Sequence, residues 1–436
     1  MGQLQQIVIL TEFDSPRLRY VVQHIFGNIL GIEPILCQQE EEYNSSSLPK
    51  ICYMPAAGKE GLHIIPAGLL KEQGTTTYQL TDVKLHQQVP LIFQSPNPDS
   101  LGFDVFSAIF FVLSRYEEYN TAQIDSHGRY LPTTGVFATN NLYAIPVVDE
   151  WVKILKNKLI ELYPRLTFKK HTYTYLPTID VDMPYAYRFK KLPYAIGGTL
   201  KNVYRAEWQS LKTRLEVMLG RKNDPYDTFD FLNITTAKYS VTPIYFYLCN
   251  GQKPHDPIAA YRKRALIDAI GRNKPFALAG LHNSYHSLDN PTLIEAERKK
   301  LESISCNPIV RSRFHYIRFQ IPVSYQHLIQ AGIAEDYSMG FASINGFRAG
   351  TSHPFFFYDL SRETITNLKL FPFQAMDATY VYYLKYSPQA AYEDMIQIRE
   401  RVRQHEGTLI IIWHNNTFEP TPEGMQWRRV FEAMFE

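Results

Sequence analysis

Leu176-Pro177-Thr178-Ile179-Asp180-Val181-Asp182 is a short apolar run that ends in two carboxylates. Side chains alternate faces along a strand, so Asp180 and Asp182 would point the same way from its end. Two like charges in one cleft need a cation or a shared proton, and a metal ion is the simplest partner for both. For so short a motif, a solvated junction between strand and loop is the alternative. The stretch predicts a site only if further ligands lie downstream.

Strand-like and helical segments alternate after this stretch, from residue 169 to the end of the chain. The further strand-like runs lie at residues 242–248, 276–280, 315–319, 337–341 and 408–413. Repeated strand–helix units predict a parallel barrel, and such barrels carry their active sites at the carboxyl ends of the strands. We therefore expect chemically active side chains directly after these runs.

Residues 1–168 predict a separate, smaller α/β domain of unknown role. Short apolar runs alternate there with helical patterns: the runs lie at 7–10, 51–54, 62–65 and 89–93, and the helices at 17–30 and 148–162. The boundary is expected near residue 168. A turn at 125–129 contains His127 and Arg129, which would reach a substrate or partner, although turns are normally rich in such residues.

The composition is that of an ordinary globular protein, with 45% hydrophobic and 20% charged residues among 436. A formal net charge of +2 gives no reason to expect nucleic acid or an anionic membrane as the main partner.

Residues 1–6 lack the segments of a secretory signal, and no run reaches the roughly 18 apolar residues of a spanning helix. A cytoplasmic protein without membrane insertion is therefore expected. The 4 scattered cysteines predict reduced core thiols.

The segment 186–222 is basic and less regular than its surroundings. Its cationic residues include Arg188, Lys190, Lys191, Lys201, Arg205, Lys212 and Arg214. We expect this segment to cap the barrel mouth as an insertion. A solvated helical face and a site for an anionic or oligosaccharide substrate are both compatible with its charge.

Gly280-Leu281-His282-Asn283-Ser284-Tyr285-His286 places two imidazoles after the strand-like run at 276–279. On a helical turn, positions i and i+4 share a face, so His282 and His286 would point to one side. With one carboxylate of the aspartate pair they would form a His-His-Asp metal site, leaving positions for water and substrate. An ordinary pair of surface histidines is the alternative.

Three more candidates stand at the ends of later segments. His414 follows the apolar run 408–413, which would deliver one ionisable group to the end of a buried strand; a hydrogen-bonded histidine at a strand edge would give the same pattern. Arg348, in a glycine-flanked loop, would hold a carboxylate by a bidentate contact. Asp377 would contact either Arg348 or a histidine.

The order of these pieces resembles the polysaccharide deacetylase family, the NodB-homology domain of carbohydrate esterase family 4. The order is Asp-x-Asp, His-x3-His, a loop arginine, an aspartate and a histidine after an apolar strand, over about residues 170–436. The resemblance implies a distorted (β/α) barrel of the glycoside hydrolase/deacetylase type over residues 169–436. With the smaller N-terminal domain, the expected fold class is α/β.

The resemblance also implies a metal and its ligands. Asp180 would act as the general base, while Asp182 would bind the metal with His282 and His286. The metal would be a divalent ion, zinc first, with cobalt, nickel or iron also suited to these ligands.

Three other roles follow from the same resemblance. Arg348 would position the base, Asp377 would be the acid of the family's fourth motif, and His414 would be the general acid. The chain departs from the family pattern in two places. Asn283 replaces the usual serine or threonine, and the loop 348–351 lacks the usual proline and tyrosine.

Residues 281–285 and 313–316 resemble motifs of a bacterial subgroup that joins a poorly characterised N-terminal domain to this catalytic domain. In such chains the second metal histidine can vary. His315, at the start of its own strand-like run, is then a rival third ligand.

The expected activity is metal-dependent removal of N-acetyl groups from a carbohydrate substrate, an amino-sugar glycan or a cytosolic glycan precursor. Two alternatives remain open. The enzyme would hydrolyse another non-peptide C–N bond, of the ureide or formamide type, or the barrel would be a non-catalytic glycan-binding module.

Overall fold

A computed structural model describes residues 5–56, 59–76, 78, 83–86, 89–95, 101–120 and 123–436. Residues 1–4, on which part of the leader expectation rests, lie outside this set. Among the described residues, none of the helices has the length and hydropathy needed to cross a membrane.

The strands and helices are numbered in chain order. The strands are β1 (Gln6–Thr11), β2 (Glu33–Cys37), β3 (Lys50–Tyr53), β4 (Leu62–Ile64), β5 (Lys84–His86), β6 (Val89–Leu91), β7 (Thr174–Val181), β8 (Ile244–Leu248), β9 (Leu278–Asn283), β10 (Arg311–Phe314), β11 (Glu335–Asp336), β12 (Phe355–Asp359), β13 (Thr364–Leu370), β14 (Ala375–Met376) and β15 (Thr408–His414).

The α-helices are α1 (Pro16–Val22), α2 (Glu40–Ser45), α3 (Val105–Leu113), α4 (Tyr116–Tyr119), α5 (Gly135–Thr139), α6 (Val147–Leu162), α7 (Leu192–Tyr204), α8 (Trp208–Met218), α9 (Phe229–Lys238), α10 (Lys263–Asn273), α11 (Thr292–Ser305), α12 (Val323–Gln330), α13 (Pro388–Gln404) and α14 (Pro422–Ala433). Two π-helical segments, Gln23–Leu30 and Thr379–Leu384, extend the helical content.

The N-terminal part contains a four-stranded parallel sheet with the order β2-β1-β3-β4. The strands expected at 7–10, 51–54 and 62–65 lie in this sheet. Helix α3, hydrophobic and buried along its whole length, begins where the Asp104 carboxylate accepts hydrogen bonds from the amides of Phe106 and Ser107. This cap satisfies amides that the first helical turn leaves without partners.

The C-terminal part contains a nine-stranded sheet with the order β12-β13-β11-β10-β9-β8-β7-β15-β14. All described pairs are parallel except β12 with β13. The predicted parallel strand–helix architecture is therefore present. The described strands do not close into a hydrogen-bonded barrel, because β12 and β14 stand at opposite edges of the sheet.

Two strand predictions are wrong. Strand β10 ends at Phe314, and the chain then enters a turn in which Tyr316 and Ile317 have φ angles of 62° and 54°. An extended strand excludes such angles. Near 337–341 only β11 is extended, because the Asp336 side chain accepts hydrogen bonds from the amide and hydroxyl of Ser338 and turns the chain locally.

The cysteine prediction holds for three of the four thiols. All four cysteines are free, and Cys37, Cys52 and Cys249 are buried. Cys306 is exposed because it follows α11 in a left-handed conformation at the surface.

A buried ion network joins the two parts of the chain and corrects the role expected for Arg348. Its guanidinium forms two hydrogen bonds to Glu118, of 3.0 and 2.6 Å, and a third to the Gly340 carbonyl. Arg115 contacts the same carboxylate at 2.9 Å. Arg348 therefore contacts Glu118 of the N-terminal part, and the Asp180 carboxylate pairs with a different arginine.

Charge balance in this network is needed for stability. The side chains of Arg115, Glu118 and Arg348 are each 3% exposed. Burial raises the pKa of Glu118, but the two guanidiniums outweigh it and lower that pKa. The carboxylate thus stays ionised between two buried cations.

Replacement of Glu118 by glutamine would leave both guanidiniums without their counter-charge. We expect Glu118→Gln to lower the free energy of unfolding by about 3–5 kcal/mol in urea titrations. Glu161→Gln, which removes an exposed partner of Lys158, is the control and would change stability by less than about 1 kcal/mol. A similar small change for Glu118→Gln would contradict the structural role of the network.

Glu297 on α11 is a second buried carboxylate, with an exposed fraction of 1%. Its Oε2 accepts a hydrogen bond of 3.0 Å from the Ser284 amide. Burial raises the pKa of Glu297 to about 7, since the hydrogen bonds from Ser284 offset only part of the desolvation. The folded state therefore binds a proton at Glu297 more tightly than the unfolded state does.

A raised carboxyl pKa makes stability fall as pH rises between the unfolded value of 4.5 and about 7. Glu297→Gln keeps the acceptor and removes the charge. We expect the variant to be about 1–3 kcal/mol more stable than the wild type at pH 8 in urea titrations, with the difference shrinking toward pH 5. Glu295→Gln, on the exposed side of the same helix, would show no such change of stability with pH. A stability difference for Glu297→Gln that does not change with pH would contradict the raised pKa of Glu297.

Candidate metal centre

The carboxyl ends of neighbouring parallel strands bring most of the predicted residues together. Asp180 lies at the end of β7 beside His414 of β15, with which it is in register. His282, the penultimate residue of β9, lies opposite Arg313 of β10. Because parallel strands end at one edge of a sheet, residues more than 200 positions apart meet in one cleft.

Asp182, His282 and His315 form a compact cluster directly beyond these strand ends. One ligand atom from each lies within 4.8 Å of the others. The Asp182 Oδ1 is 3.2 Å from His282 Nε2, and its Oδ2 is 3.3 Å from His315 Nε2. Two imidazoles therefore converge on the two oxygens of one carboxylate.

Outer partners fix the orientation of both imidazoles. His282 Nδ1 lies 2.9 Å from the Arg313 carbonyl, and His315 Nδ1 lies 2.9 Å from the Asp256 carboxylate. Asp256 is fully buried and is itself held by the amides of Tyr285 and Gln252. If each Nδ1 donates to these acceptors, each Nε2 can present a lone pair to a cation bound in the cluster.

The cluster has the properties of a divalent metal site. Within the described part of the chain, Asp182 Oδ1 is buried without a hydrogen-bond partner, and a cation would satisfy it. Burial raises the pKa of Asp182, but the neighbouring His315 and His282 lower it well below its usual value. Two imidazole nitrogens and a carboxylate oxygen are ligands that zinc, cobalt, nickel and iron share.

His286 does not join the cluster, which corrects the expected ligand set. It sits beyond the end of β9, in the short turn Tyr285–Ser287, where it is 38% exposed and lies 3.7 Å from Asp289. The prediction assumed a helical turn from His282, but His282 belongs to the strand. The rival His315 instead lies in the cluster, because the turn after β10 directs its side chain back toward Asp182.

Asp180 lies next to the cluster with a buried arginine behind it. Its Oδ1 accepts a hydrogen bond of 2.7 Å from Arg313, and its Oδ2 lies 3.6 Å from His282 Nε2. Arg313 also donates to the Tyr337 carbonyl and lies 4.4 Å from the Phe246 ring centroid. Arg313 thus does for Asp180 what was expected of Arg348.

His414 approaches the cluster from the other side. Its Nε2 is 3.8 Å from Asp182, and its Nδ1 is 2.7 Å from Asp377. Burial lowers the pKa of His414, but Asp377 outweighs this and raises it to about 10. Asp377 also accepts from the Thr417 hydroxyl. Of the two partners expected for Asp377, the histidine is the one present.

The cluster opens into a cavity of about 700 Å³. Both aspartates and the three histidines 282, 315 and 414 line it. The partly exposed rings of Tyr316, Tyr382 and Tyr383 line it toward the surface, and the buried ring of Trp427 lines it as well. The cavity therefore combines ionisable groups at its base with flat apolar surfaces at its mouth.

The turn at 125–129 reaches this mouth from the N-terminal part. Arg129 lines the cavity and donates to the Tyr316 carbonyl at 2.8 Å and to the Tyr383 hydroxyl at 3.2 Å. Arg318 in turn donates to the His127 carbonyl. The N-terminal part thus holds the turn that follows the candidate ligand His315.

Sequence reasoning missed two residues of the site. Asp256 lies in an irregular segment after β8, where no periodic pattern singles it out. Arg313 lies in the motif 313–316, but the predicted strand began only at 315, so nothing in the sequence indicated that this cation is buried. A buried cation needs a buried counter-charge, and only the structure identifies that partner as Asp180.

A family model described as a family of unknown function, DUF7033, matches residues 7–164. It covers less than half of the chain and no residue of the cluster. Among curated proteins, none matches the sequence.

Three solved structures show a distant similarity to part of this chain. A Mycobacterium smegmatis protein assigned as a polysaccharide deacetylase shares 13% identity over 62% of this chain and 86% of its own, with a TM-score of 0.40. An allantoinase shares 9% identity over 61% and 84%, with a TM-score of 0.38. A Bacillus subtilis peptidoglycan deacetylase shares 10% over 61% and 94%, with a TM-score of 0.24. Similarities this distant assign no activity to the chain.

The ligand set can be tested by zinc titration of metal-free protein. We expect His315→Ala to weaken zinc binding at least about 100-fold, because it removes a ligand nitrogen, and Asp256→Asn to weaken it about 10–100-fold through the orientation of His315. His286→Ala is the matched control and would bind zinc like the wild type. A loss on His286→Ala with retention on His315→Ala would reverse the assignment.

Proposed function

We propose that the chain is a metal-dependent hydrolase that removes N-acetyl groups from an amino-sugar glycan or glycan precursor. One observation carries the proposal. Asp180, held by Arg313, and His414, held by Asp377, flank Asp182 from neighbouring strands in one cavity. An acid and a base on either side of a metal site are what hydrolysis of an amide requires.

Asp182, His282 and His315 would hold the divalent ion, for which zinc is the first candidate. When bound, such an ion polarises the acetamide carbonyl and makes a coordinated water more acidic. The Asp256 carboxylate and the Arg313 carbonyl keep the two imidazoles oriented toward that position.

Asp180 is the proposed general base. Arg313 occupies its Oδ1, so Oδ2 is the oxygen directed at the cluster and able to take a proton from water. The ion pair is buried, with side-chain exposed fractions of 0% for Arg313 and 3% for Asp180. A bidentate-capable guanidinium held in place by burial fixes the direction of the carboxylate.

His414 is the proposed general acid. Asp377 raises its pKa to about 10, so it carries a proton at neutral pH. Its Nδ1 faces Asp377, which leaves the Nε2 proton directed into the cavity. That proton would be transferred to the departing sugar nitrogen as the C–N bond breaks.

The mouth of the cavity favours a carbohydrate. Tyr316, Tyr382 and Tyr383 are 38%, 64% and 43% exposed and line one opening. Flat aromatic faces pack against the C–H faces of sugar rings, and a volume of about 700 Å³ lies within the range of ligand pockets.

The activity test measures acetate released from N-acetylglucosamine oligosaccharides by zinc-loaded protein. We expect Asp180→Asn and His414→Gln each to lower kcat about 10²–10⁴-fold while the protein retains its zinc. His286→Ala is the control with unchanged kcat.

Two outcomes would contradict the proposal. Hydrolysis of ureides or formamides without acetate release from any N-acetyl sugar would favour the other class of C–N hydrolase. Zinc-loaded protein that binds oligosaccharides and hydrolyses none of these substrates would favour a non-catalytic glycan-binding module.

A further inference from the structure

Helices α7 and α8 form a hairpin that leaves its apolar side chains in solvent. On α7 these side chains recur every three or four residues, which places them on one face of the helix. They are Leu192, Ile196, Leu200, Val203 and Tyr204, with exposed fractions of 62%, 50%, 63%, 45% and 91%. A stripe of this length on a soluble protein marks an interaction surface.

Helix α8 carries a matching stripe. Trp208, Leu215 and Met218 are 63%, 50% and 63% exposed, and Leu219, directly after the helix, is 65% exposed. These positions again follow the spacing of one helical face. The exposed stripe is therefore a property of the whole hairpin.

The opposite faces of the two helices hold the hairpin together. Arg214 of α8 is buried and donates two hydrogen bonds to Asn202 of α7, of 3.2 and 3.0 Å. A Cβ at Gly198 would lie 2.7 Å from the Arg214 guanidinium, so glycine permits this close packing. Arg214 also lies 4.6 Å from the Tyr187 ring centroid. The inner polar contacts fix which side chains face outward.

Positive charge accompanies the exposed stripes. Every charged side chain classed as exposed between residues 191 and 222 is a cation: Lys191, Lys201, Arg205, Lys212, Arg221 and Lys222. The two acids of this segment, Glu207 and Glu216, are partly buried. The whole chain has a net charge of only +2, so the hairpin is much richer in exposed positive charge than the chain on average.

We infer that this hairpin docks on an anionic lipid surface. Helices with Leu, Ile and Trp on one face and Lys and Arg around it lie in the membrane interface, with the apolar face in the acyl region and the cations on lipid phosphates. A second copy of the chain would bring two sets of cations together, which opposes self-association through this face. A nucleic acid would satisfy the cations and leave the aliphatic stripes in water.

The hairpin adjoins the mouth of the candidate metal centre. The Lys191 amide donates to the Ala260 carbonyl, and Lys253 lies 5.5 Å from the Tyr194 ring centroid. Pro254 and Pro257, in the segment thus contacted, line the cavity. Docking would place the cavity beside the lipid headgroups and, resting on the proposed function, would make a lipid-linked N-acetyl sugar its substrate class.

Trp208 provides a direct measurement of docking. The chain has 4 tryptophans, and the other three, Trp151, Trp413 and Trp427, are at most 2% exposed. Full-length protein is mixed with vesicles of phosphatidylcholine alone or with about 30% phosphatidylglycerol. With the anionic vesicles we expect at least about 10-fold tighter co-sedimentation, a shift of tryptophan emission to shorter wavelength, and quenching by brominated lipid.

Matched variants separate the hairpin from general charge and hydrophobicity. Lys201→Glu with Arg205→Glu and Lys212→Glu would weaken binding to anionic vesicles at least about 100-fold. Lys153→Glu with Lys238→Glu and Lys299→Glu makes the same change in net charge on other exposed lysines and would leave binding unchanged. Leu200→Ser with Leu215→Ser would abolish the emission shift, whereas Ile234→Ser, at an exposed apolar position of α9, would retain it.

Three results would overturn the inference. One is the absence of binding to anionic vesicles. Another is an equal loss of vesicle binding in the two charge-reversal triple variants. The third is a dimer in sedimentation velocity that Leu200→Ser dissociates, which would assign the face to a second copy. Asp182→Asn, which removes a metal ligand and leaves the hairpin intact, would bind vesicles normally, so failure of hydrolysis and failure of docking are distinguished.

Discussion

Two carboxylates two residues apart at the end of a buried strand cannot remain ionised without compensation, and the rest of the site is arranged around that constraint. Asp180 obtains its counter-charge from Arg313, a fully buried guanidinium on β10, the third strand along the sheet from β7. Asp182 obtains its compensation from two imidazoles. Because each acid has a different partner, the two can have different roles, one as a base and one as a ligand.

The parallel register makes this compensation possible. Strands β15, β7, β8, β9 and β10 are consecutive neighbours in the sheet, so their carboxyl ends form one continuous edge. Apolar runs in the sequence made β7 and β15 predictable, and with them the placement of Asp180, Asp182 and His414. His315 was harder to predict, since its position depends on two residues with positive φ directly after it. Periodicity in the sequence contains no signal for such a turn.

The arginines show the limit of motif order as a guide. Arg348 stands where a base-positioning arginine was expected, yet its partner is Glu118, 230 positions earlier. Arg313 makes the expected contact with the carboxylate from β10. The sequence predicted this strand a few residues too late, at 315–319. Which of two arginines meets a given carboxylate depends on the packing of the N-terminal part against β12 and β13, and that packing is a tertiary property. Tyr20 of α1, 5.1 Å from Tyr358 of β12 between ring centroids, belongs to this contact.

Net charge and mean composition describe the chain as a whole, whereas binding surfaces depend on how charge is distributed. A net charge of +2 gave no reason to expect an anionic partner, and that value describes the chain as a whole correctly. Within 191–222, however, the acids are partly buried and the exposed cations stand beside apolar stripes. The separation arises from helical geometry: Asn202, Gly198 and Arg214 occupy the inner faces, so the aliphatic side chains on the opposite faces of the two helices point outward. The same side chains in a different helical phase would form an ordinary packed core.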